Sequence, residues 1–416
     1  MKKVEVIHGE CSEYLDTLDE NSIDSCITDP PYEIGFMGED WDRSGIAFDP
    51  EFWAKVKRVL KPGAHMAVFG GSRTYHRIAV GIEDAGFEIR DSVDWVYAGG
   101  FAKSHDVGKA IDNHFDKERE KIGLKKGAER KDGSMIERNS YGDEYSDNPS
   151  QWQERGRDPY ERAPATEEAK KWEGWDTQLK PAKEPIVIAR KSFDDTVAEN
   201  VLKRSTGAMN IDDCRIDTEG ESFHAPQSDP TNREGEVGTD LGFSENSVEK
   251  FQESQKASIE RLREKGRWPA NVILDPAMAK RLDEQSGIEA SRYFKQIDPF
   301  FYCPKAKRPE RDLGVDNNDH VTVKPIELMS YLVRLLTPEG GRCLDPFAGS
   351  GTTGMSAVLE GVEATLVEMD SHYAEIANQR VQYAKDNYQW LREKIYGDSS
   401  NNITNEQTEV NDHNFW

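Results

Sequence analysis

Four consecutive residues near the amino end of the chain combine a carboxylate and an aromatic ring on a stiff backbone. The segment CITDPPYEIGF (26–36) reads as an apolar strand that ends in Asp29-Pro30-Pro31-Tyr32. Proline holds φ at about −65° and has no N–H donor, so two in a row stop a β-ladder or a helix. The pattern indicates a rigidly presented carboxylate and ring. An acidic strand end followed by an ordinary turn is the alternative.

A second segment, near the other end of the chain, is typical of a ligand-binding turn. GRCLDPFAGSGTTGMSAVLEG (341–361) predicts a strand, a tight turn with Gly349 and Gly351, and a helix. It lacks the lysine of a P-loop and the spacing G-x-G-x-x-G of a dinucleotide site. Asp345 at the strand end would attract a cationic ligand, and Glu368 ends the next strand, where an acid binds ribose hydroxyls. The two acids suggest S-adenosylmethionine, and a turn without any ligand is the alternative.

The surrounding sequence predicts the elements that must position these residues. Short apolar segments bounded by Gly, Pro or Asp predict seven buried strands, at 4–9, 23–29, 65–71, 91–99, 184–191, 341–347 and 363–369. Helical patterns between several of them predict an α/β fold with a mostly parallel, doubly wound sheet covered by helices on both faces. Such a sheet brings the two segments to one crevice if their strands are neighbours.

Composition excludes several classes of protein. The 416 residues include 78 acidic and 54 basic side chains, a formal net charge of −24, and the mean hydropathy is −0.80, so long solvated insertions are expected. No apolar run of about 18 residues predicts a membrane span, and the start MKKVEVIHGE lacks the apolar stretch of a signal peptide. Five scattered cysteines suit a reducing cytoplasm, and no cysteine or histidine spacing predicts a metal site.

Taken together, the two segments resemble the SAM-dependent DNA amino-methyltransferases, the N6-adenine and N4-cytosine group. Asp-Pro-Pro-Tyr is similar to the catalytic motif of that family, and DPFAGSGTT (345–353) to its cofactor motif. The catalytic motif comes first, and a Lys-Pro helix in HVTVKPIELMSYLVRLLTPEGG (320–341) precedes the cofactor strand, an order that looks like the β class. Further segments resemble a phage and prophage subgroup. The resemblance covers residues 1–111, 165–208 and 266–385.

This resemblance implies a circularly permuted, Rossmann-like methyltransferase fold and a role for each motif residue. Asp29 and the Pro30 carbonyl would accept the two hydrogens of a target amino group, Pro31 would stiffen the motif, and Tyr32 would stack on a flipped-out base. Cofactor-binding roles are implied for Asp345, Phe347, Gly349, Gly351, Thr352, Glu368, Lys324 and Glu10. An ordinary helix-start lysine is the alternative for Lys324, and an exposed strand end is the alternative for Glu10.

DNA contacts are expected from a local basic strip, because a working groove needs positive charge only where it meets phosphates. Phe101 and Lys103 follow a predicted strand and would border the base pocket. The class keeps its sequence-reading segment between residues 190 and 318. The basic candidates in that segment are Arg204, Arg267, Lys305, Lys307 and Arg308.

The chain accordingly divides into four regions. A catalytic half (1–191) carries a flexible charged insertion (112–174). A target-recognition region (192–318) contains an acidic stretch, in which residues 211–250 hold eleven acids against three bases. A SAM-binding half (319–396) is followed by a tail (397–416) whose composition predicts disorder.

The expected function is a site-specific DNA methyltransferase that moves a methyl group from S-adenosylmethionine to N6 of a flipped-out adenine in duplex DNA. Adenine is favoured because Asp-Pro-Pro-Tyr usually accompanies it in the family, and N4 of cytosine is the alternative. A SAM-binding nucleic-acid-binding protein without this activity, and an RNA or small-molecule methyltransferase, are further alternatives. The enzyme would be a solitary methylase or the modification half of a restriction-modification pair, a monomer or a homodimer, in the cytoplasm of a prokaryotic or viral host cell.

Overall fold

The computed structural model describes residues 2–34, 40–99, 104–124, 160–218, 245–297 and 308–396. Within these ranges the strands are β1 (Val4–His8), β2 (Ile23–Thr28), β3 (Leu60–Phe69), β4 (Phe87–Val96), β5 (Lys121–Leu124), β6 (Tyr160–Arg162), β7 (Lys183–Lys191), β8 (Val272–Leu274), β9 (Lys295–Gln296), β10 (Arg342–Asp345) and β11 (Glu363–Glu368). All seven predicted strands are present, with ends that differ by a few residues. Strands β5, β6, β8 and β9 were not predicted.

The helices follow the predicted alternation in both halves of the chain. In the amino-terminal half they are α1 (Cys11–Thr17), α2 (Pro50–Val59), α3 (Tyr75–Asp84), α4 (Val107–His114), α5 (Glu167–Lys171) and α6 (Val197–Arg204). In the carboxyl-terminal half they are α7 (Glu245–Lys265), α8 (Pro276–Ser286), α9 (Arg308–Arg311), α10 (Ile326–Leu336), α11 (Thr352–Glu360), α12 (Ser371–Asp386) and α13 (Tyr388–Tyr396).

Nine of the described strands form one sheet in the order β1-β11-β10-β2-β3-β7-β4-β8-β9. All neighbours in this sheet run parallel except β7, which is antiparallel to both β3 and β4. The sheet is therefore mostly parallel, with helices on both faces, as expected for the Rossmann-like methyltransferase fold. Strands β5 and β6 pair separately.

The direction of winding reverses between β10 and β2, which are parallel neighbours in the middle of the sheet. From β10 the chain passes through α11 to β11 on one side, and from β2 it passes through α2 to β3 on the other. Ligands bind at such a switch point, outside the carboxyl ends of the strands. Here those ends carry Asp345 on β10 and, directly after β2, Asp29.

Alternate residues of the central strands enter two separate cores. On β2, Cys26 packs with the face covered by α1 to α3, and Ile27 packs with the face covered by α10 and α11. Cys26 and Cys343 are both fully buried and pack as small core residues. Helix α2 shows how the sequence makes this layer. Asp49 caps it, Pro50 occupies its first turn, and it buries an apolar stripe that includes Trp53.

The described parts of two predicted regions contain structure that the sequence did not predict. The 192–318 region contributes β8 and β9 to the main sheet. The 112–174 insertion was expected to be flexible, but its described parts are organised around the buried Asp112. The Asp112 carboxylate accepts hydrogen bonds from Arg119 Nε at 2.6 Å and Thr166 Oγ1 at 2.7 Å. A buried carboxylate requires such partners, so it fixes the chain on both sides of residues 125–159, which lie outside the described residues.

Among the described helices, none has the length and apolar character needed to cross a membrane. No group of acidic, histidine or cysteine side chains in the described ranges is suited to hold a metal ion. The predicted tail, 397–416, lies outside the described residues.

Trp53 provides a test of the core on the α2 face. Its side chain is fully buried, and its indole N–H donates to the Ala47 carbonyl oxygen at 2.9 Å. We expect Trp53→Ala to lower the free energy of unfolding by about 3–5 kcal/mol, measured by denaturant titration. The matched control is Trp268→Ala, because Trp268 is 64% exposed and should cost less than about 1 kcal/mol. Equal losses in the two variants would contradict this packing.

Candidate active site

A hydrogen bond joins the two motifs across the switch point. Thr28 Oγ1, at the end of β2, donates to Asp345 Oδ1 at 2.6 Å. Asp345 also accepts from Thr353 Oγ1 at 2.5 Å and from the Phe347 N–H at 3.1 Å. The strand that ends at the catalytic motif and the turn that carries the cofactor motif are thus fixed to one buried carboxylate.

This arrangement changes the role expected for Asp345. We predicted that its side chain would attract a cationic ligand directly, but it is 3% exposed and both oxygens accept hydrogen bonds from the protein. Burial raises the pKa of Asp345 to about 6. Asp345 instead stabilises the glycine turn from inside the protein, through its hydrogen bonds to Phe347 and Thr353. The hydroxyls that it binds lie one residue before the catalytic motif and inside the following helix, and neither had been predicted as a site residue.

The glycine turn depends on backbone conformations that favour glycine. Gly349 has φ of +51°, and a Cβ there would lie 2.8 Å from His320 Nε2. Gly351 has φ of +77°, and a Cβ there would lie 2.8 Å from the Cβ of Ala377 on α12. Both positions therefore require glycine for conformation and for space. Thr352 then begins α11 and is almost fully buried.

Glu368 closes the other side of the turn at the end of β11. Its Oε2 accepts the Gly349 N–H at 2.8 Å, and its Oε1 accepts the Asp370 N–H at 2.9 Å. Burial raises the pKa of Glu368 above its ordinary value. Each carboxylate oxygen has two lone pairs, so both retain capacity to accept a further hydrogen bond from a hydroxyl.

These residues fit the nucleoside part of S-adenosylmethionine. The half-buried Glu368 offers acceptors for ribose hydroxyls beside a turn with no side chains at Gly349 and Gly351. Phe347 is half-buried, with its ring centroid 5.3 Å from that of Phe52. Glu10, the loosest of the predicted positions, caps α1 by accepting the Glu13 N–H at 2.7 Å. The neighbouring Gly9 N–H donates to the Glu368 carbonyl oxygen, which places Glu10 next to the same strand end.

Two further residues support the glycine turn and were missed in the sequence. His320 lies against Gly349, and its ring centroid is 4.6 Å from that of Tyr373. Burial and nearby Lys324 lower the pKa of His320 to about 4, so its imidazole is neutral at physiological pH. Arg380 is fully buried and donates to the Ser350 carbonyl oxygen at 2.7 Å. A buried arginine on a helix has no local sequence signal that distinguishes it from an exposed one.

On the catalytic side, Asp29 lies in an ion pair that the sequence did not predict. Lys324 Nζ contacts Asp29 Oδ2, while Asp29 Oδ1 is buried without a hydrogen-bond partner among the described residues. We had expected Lys324 to be a cofactor contact, but its ammonium lies on the catalytic motif. It is also 3.6 Å from Glu184 Oε2. The Asp29 side chain as a whole is 17% exposed, while Oδ1 is buried, so the described residues leave one acceptor of this carboxylate unused.

Tyr32 is fixed at its hydroxyl and at its backbone. Its O–H donates to Glu184 Oε2 at 3.1 Å, and its carbonyl oxygen accepts from Thr74 Oγ1 at 2.7 Å. Gly71 lies against the ring, where a Cβ would be 3.1 Å from Tyr32 Cδ2. The segment after the motif is held by Asp42, whose Oδ1 accepts the Glu33 N–H at 2.8 Å. The half-buried Tyr32 ring therefore has one orientation, which suits a stacking surface.

Arg204, one of the predicted DNA contacts, lies far from Asp29. Arg204 forms an ion pair with Asp195 at 2.6 Å on α6, and the neighbouring Asn200 donates to the Pro62 carbonyl oxygen. Pro62 lies at the amino end of β3, so Arg204 is at the edge of the sheet opposite to Asp29. Because β7 is antiparallel and carries the chain to that edge, the predicted contact of Arg204 with DNA remains a prediction for a surface away from Asp29.

Arg267 has internal partners. Its Nη1 donates to the Arg292 carbonyl oxygen at 3.3 Å, and its guanidinium lies 4.8 Å from the Tyr293 ring centroid. These contacts give it a packing role. Four other candidates, Phe101, Lys103, Lys305 and Lys307, lie outside the described residues, and Arg308 begins α9.

A family model of DNA methylases, the N6/N4 methyltransferase model, matches residues 23–379. The match spans most of the chain and includes both motifs, so the protein belongs to the N6/N4 DNA methylase family. The resemblance seen in the sequence is therefore confirmed. Enzymes of this family methylate DNA with S-adenosylmethionine as the methyl donor.

Individual relatives agree with this assignment. The Type II methyltransferase M.HindIII of Haemophilus influenzae is 23% identical over 421 aligned residues, which cover 91% of this chain and 94% of that protein. The Type II methyltransferase M.BglI of Bacillus subtilis is 36% identical over 66 residues, which cover 16% of this chain and 19% of that protein.

Solved structures with some likeness include the cytosine-N4-specific PvuII DNA methyltransferase. It is 14% identical, with a TM-score of 0.41, over 95% of this chain and 94% of that chain. A complex of M1.HpyAVI with SAM is 13% identical, with a TM-score of 0.37, over 91% of this chain and 99% of that chain. At these TM-scores the assignment depends on the family match alone.

The two ends of α11 offer a matched test of the glycine turn. Gly351→Ala places a Cβ 2.8 Å from Ala377 at a φ of +77°, whereas Gly361→Ala has a φ of +69° with nothing within 4 Å. Both variants carry the strain of a left-handed alanine, about 1–2 kcal/mol. We expect Gly351→Ala alone to weaken SAM binding at least about tenfold, measured by titration calorimetry. The same affinity in both variants would show that the close packing of this turn is unimportant for the cofactor.

Glu310 gives a pH-dependent test of the support behind the turn. It is 1% exposed, its Oε1 accepts the Ile326 N–H, and burial raises its pKa from 4.5 to about 7. The native state therefore holds more protons than the unfolded state between these values, so stability falls as pH rises through that range. Relative to Glu310→Gln, the wild type should lose on the order of 3 kcal/mol between pH 4.5 and 7.5. If the free energies of unfolding of the two proteins changed in parallel with pH, the raised pKa of Glu310 would be contradicted.

Proposed function

We propose that the protein is a site-specific DNA methyltransferase that methylates N6 of an adenine flipped out of duplex DNA. The observation that carries this proposal is the buried Asp29 Oδ1, which has no partner among the described residues and lies at the switch point beside the glycine turn. A carboxylate oxygen in that position accepts one hydrogen of an exocyclic amino group.

The chemistry follows from the weakness of the nucleophile. An exocyclic amino nitrogen delocalises its lone pair into the ring, and S-adenosylmethionine supplies an electrophilic methyl group when bound. Asp29 accepts one N–H, and the Pro30 carbonyl oxygen accepts the other, which directs the nitrogen lone pair away from the ring. The proton leaves only as the new N–C bond forms, and Asp29 or water takes it up.

Tyr32 and the two prolines provide the geometry. Its ring, fixed through Glu184 and Thr74, is the surface on which the flipped base stacks. Pro30 and Pro31 hold the backbone so that carboxylate, carbonyl and ring are already arranged before the base enters, and an in-line transfer tolerates little misplacement.

The choice of adenine rests on the sequence. Asp-Pro-Pro-Tyr usually accompanies adenine in the family, but N4 of cytosine presents the same local chemistry to Asp29. We assign target recognition to the 192–318 region, and we assign the border of the base pocket to Phe101 and Lys103. A protein that acts on DNA in this way would work in the cytoplasm of a prokaryotic or viral host cell.

The test is to express the chain in a host without DNA methylation and to sequence the host DNA by long reads, which report the modified base and its context together. We expect N6-methyladenine in one short motif. Asp29→Ala should reduce methylation at that motif by roughly 10²-fold or more, because it removes the proton acceptor. SAM binding should persist in that variant, since the cofactor residues lie on the glycine turn.

Gly361→Ala is the control for expression and for handling of the host DNA, because it changes a helix end with no close contacts. Full methylation in Asp29→Ala would refute the role given to that carboxylate. If the wild-type sample contained N4-methylcytosine instead, the target base would be cytosine and not adenine.

A further inference from the structure

Lys324 lies at the centre of a buried group of charged side chains. The sequence did not predict that these side chains meet. Lys324 Nζ contacts Asp29 Oδ2 and lies 3.6 Å from Glu184 Oε2. The side chains of Lys324 and Glu184 are 9% and 10% exposed. The ammonium also lies 4.9 Å from the Phe69 ring centroid and 5.5 Å from that of Tyr32. The lysine thus lies between two carboxylates and two aromatic rings.

Glu184 connects this group to the rest of the pocket wall. It is the second residue of β7, and it accepts hydrogen bonds from Tyr32 at 3.1 Å and from Tyr97 at 3.3 Å. A glutamate buried beside the apolar residues 185–189 is stable only if it is paired. Here one carboxylate holds the stacking ring and lies next to the partner of the catalytic carboxylate.

We propose, on the basis of the function proposed above, that Lys324 and Glu184 are positioning residues that together set the charge of Asp29, and that Lys324 serves this carboxylate rather than the cofactor. The ionised form of Asp29 is the stronger acceptor for the target amino group, and only this form can take up its proton. The Lys324 ammonium, which contacts one oxygen of Asp29, favours the ionised form of Asp29. The Glu184 carboxylate shares this ammonium, so Lys324 offsets only part of the negative charge of Asp29.

The electrostatics of the cluster follow from its contacts. Burial raises the pKa of Asp29, Lys324 opposes that rise, and Glu184 adds to it. The other titratable groups that face Asp29 are Tyr32 and Asp345, and His320 faces Lys324. His320 is neutral above a pH of about 4, and burial keeps the Tyr32 hydroxyl protonated by raising its pKa. Lys324 and Glu184 therefore act in opposite directions on the pKa of Asp29.

Two substitutions should consequently move the pH profile in opposite directions. Lys324→Met removes the cation, raises the pKa of Asp29 and shifts the acid limb of kcat/KM to higher pH by about one unit or more. Glu184→Gln removes the anion, lowers that pKa and shifts the limb to lower pH. A residue that only maintained the fold would reduce activity without moving the limb in a charge-dependent direction.

Further variants separate charge from packing. Lys324→Arg retains the cation and should keep the limb near its wild-type position. The double variant Lys324→Met/Glu184→Gln leaves the Asp29 carboxylate alone and so keeps the net charge of the wild-type cluster, whereas Lys324→Met leaves two unpaired carboxylates. The double variant should therefore fold if Lys324→Met does not, and its limb should lie between those of the single variants. Tyr97→Phe removes a neutral hydroxyl from Glu184 and should leave the limb where it is.

Cofactor affinity provides an independent measurement. If Lys324 served the methionine carboxylate, its removal would weaken SAM binding by roughly tenfold or more, as for a lost charged hydrogen bond. We expect Lys324→Met, or the double variant, to bind SAM within about threefold of the wild type in titration calorimetry. A tenfold loss would overturn the assignment of Lys324 to Asp29.

The titration can also be followed without turnover, by NMR of the protein labelled with ¹³C at the aspartate carboxyl groups. The Asp29 resonance is identified by its absence in Asp29→Asn. Opposite shifts of its titration in Glu184→Gln and in the Lys324 variants would support the proposal, and shifts in one direction or none would overturn it. If the wild type transferred no methyl group to DNA, the proposed function would fail, while this titration would still decide the roles of Lys324 and Glu184.

Discussion

The arrangement of the site depends on the hydrogen bond between Thr28 and Asp345, which are 317 residues apart in the chain. It joins the ends of two parallel strands at the one place in the sheet where the winding reverses. Because Asp345 also accepts from Thr353 and from the Phe347 N–H, a single buried carboxylate fixes the strand before the catalytic motif and both sides of the glycine turn. The order of the motifs along the chain is therefore unimportant for the chemistry, since the sheet alone determines which strand ends are neighbours.

The second constraint is the burial of charge. Asp29, Lys324 and Glu184 are all largely removed from water, and such groups are stable only when they are paired. Pairing in turn fixes their positions, and through Glu184 it also fixes the rings of Tyr32 and Tyr97. The side chains that we propose for the base pocket are accordingly fixed by contacts within the protein. The cost of ordering these groups is met during folding, which leaves less to be ordered in the reaction itself.

Much of this could be predicted from the sequence, because the signals are local. Asp29-Pro30-Pro31-Tyr32 and the glycine turn are read from adjacent letters, and seven apolar segments sufficed for the central strands. What could not be predicted depends on contacts between distant residues. Glu184 was visible only as one acid in a predicted strand, and nothing local shows that it meets Tyr32. The edge of the sheet at which Arg204 lies was not predictable either, because a hydrophobic pattern does not distinguish a parallel strand from the antiparallel β7.

The direction of β7 also limits which segments can read DNA. Since β7 is antiparallel, the chain after Lys191 lies at the amino edge of the sheet, on the far side from Asp29, as the contact between Asn200 and Pro62 shows. It returns along β8 and β9, which run parallel to β4 and end at the carboxyl edge. A duplex seated over Asp29 would therefore lie at the edge of the sheet where β4 and β9 end, and Arg204 lies at the opposite edge.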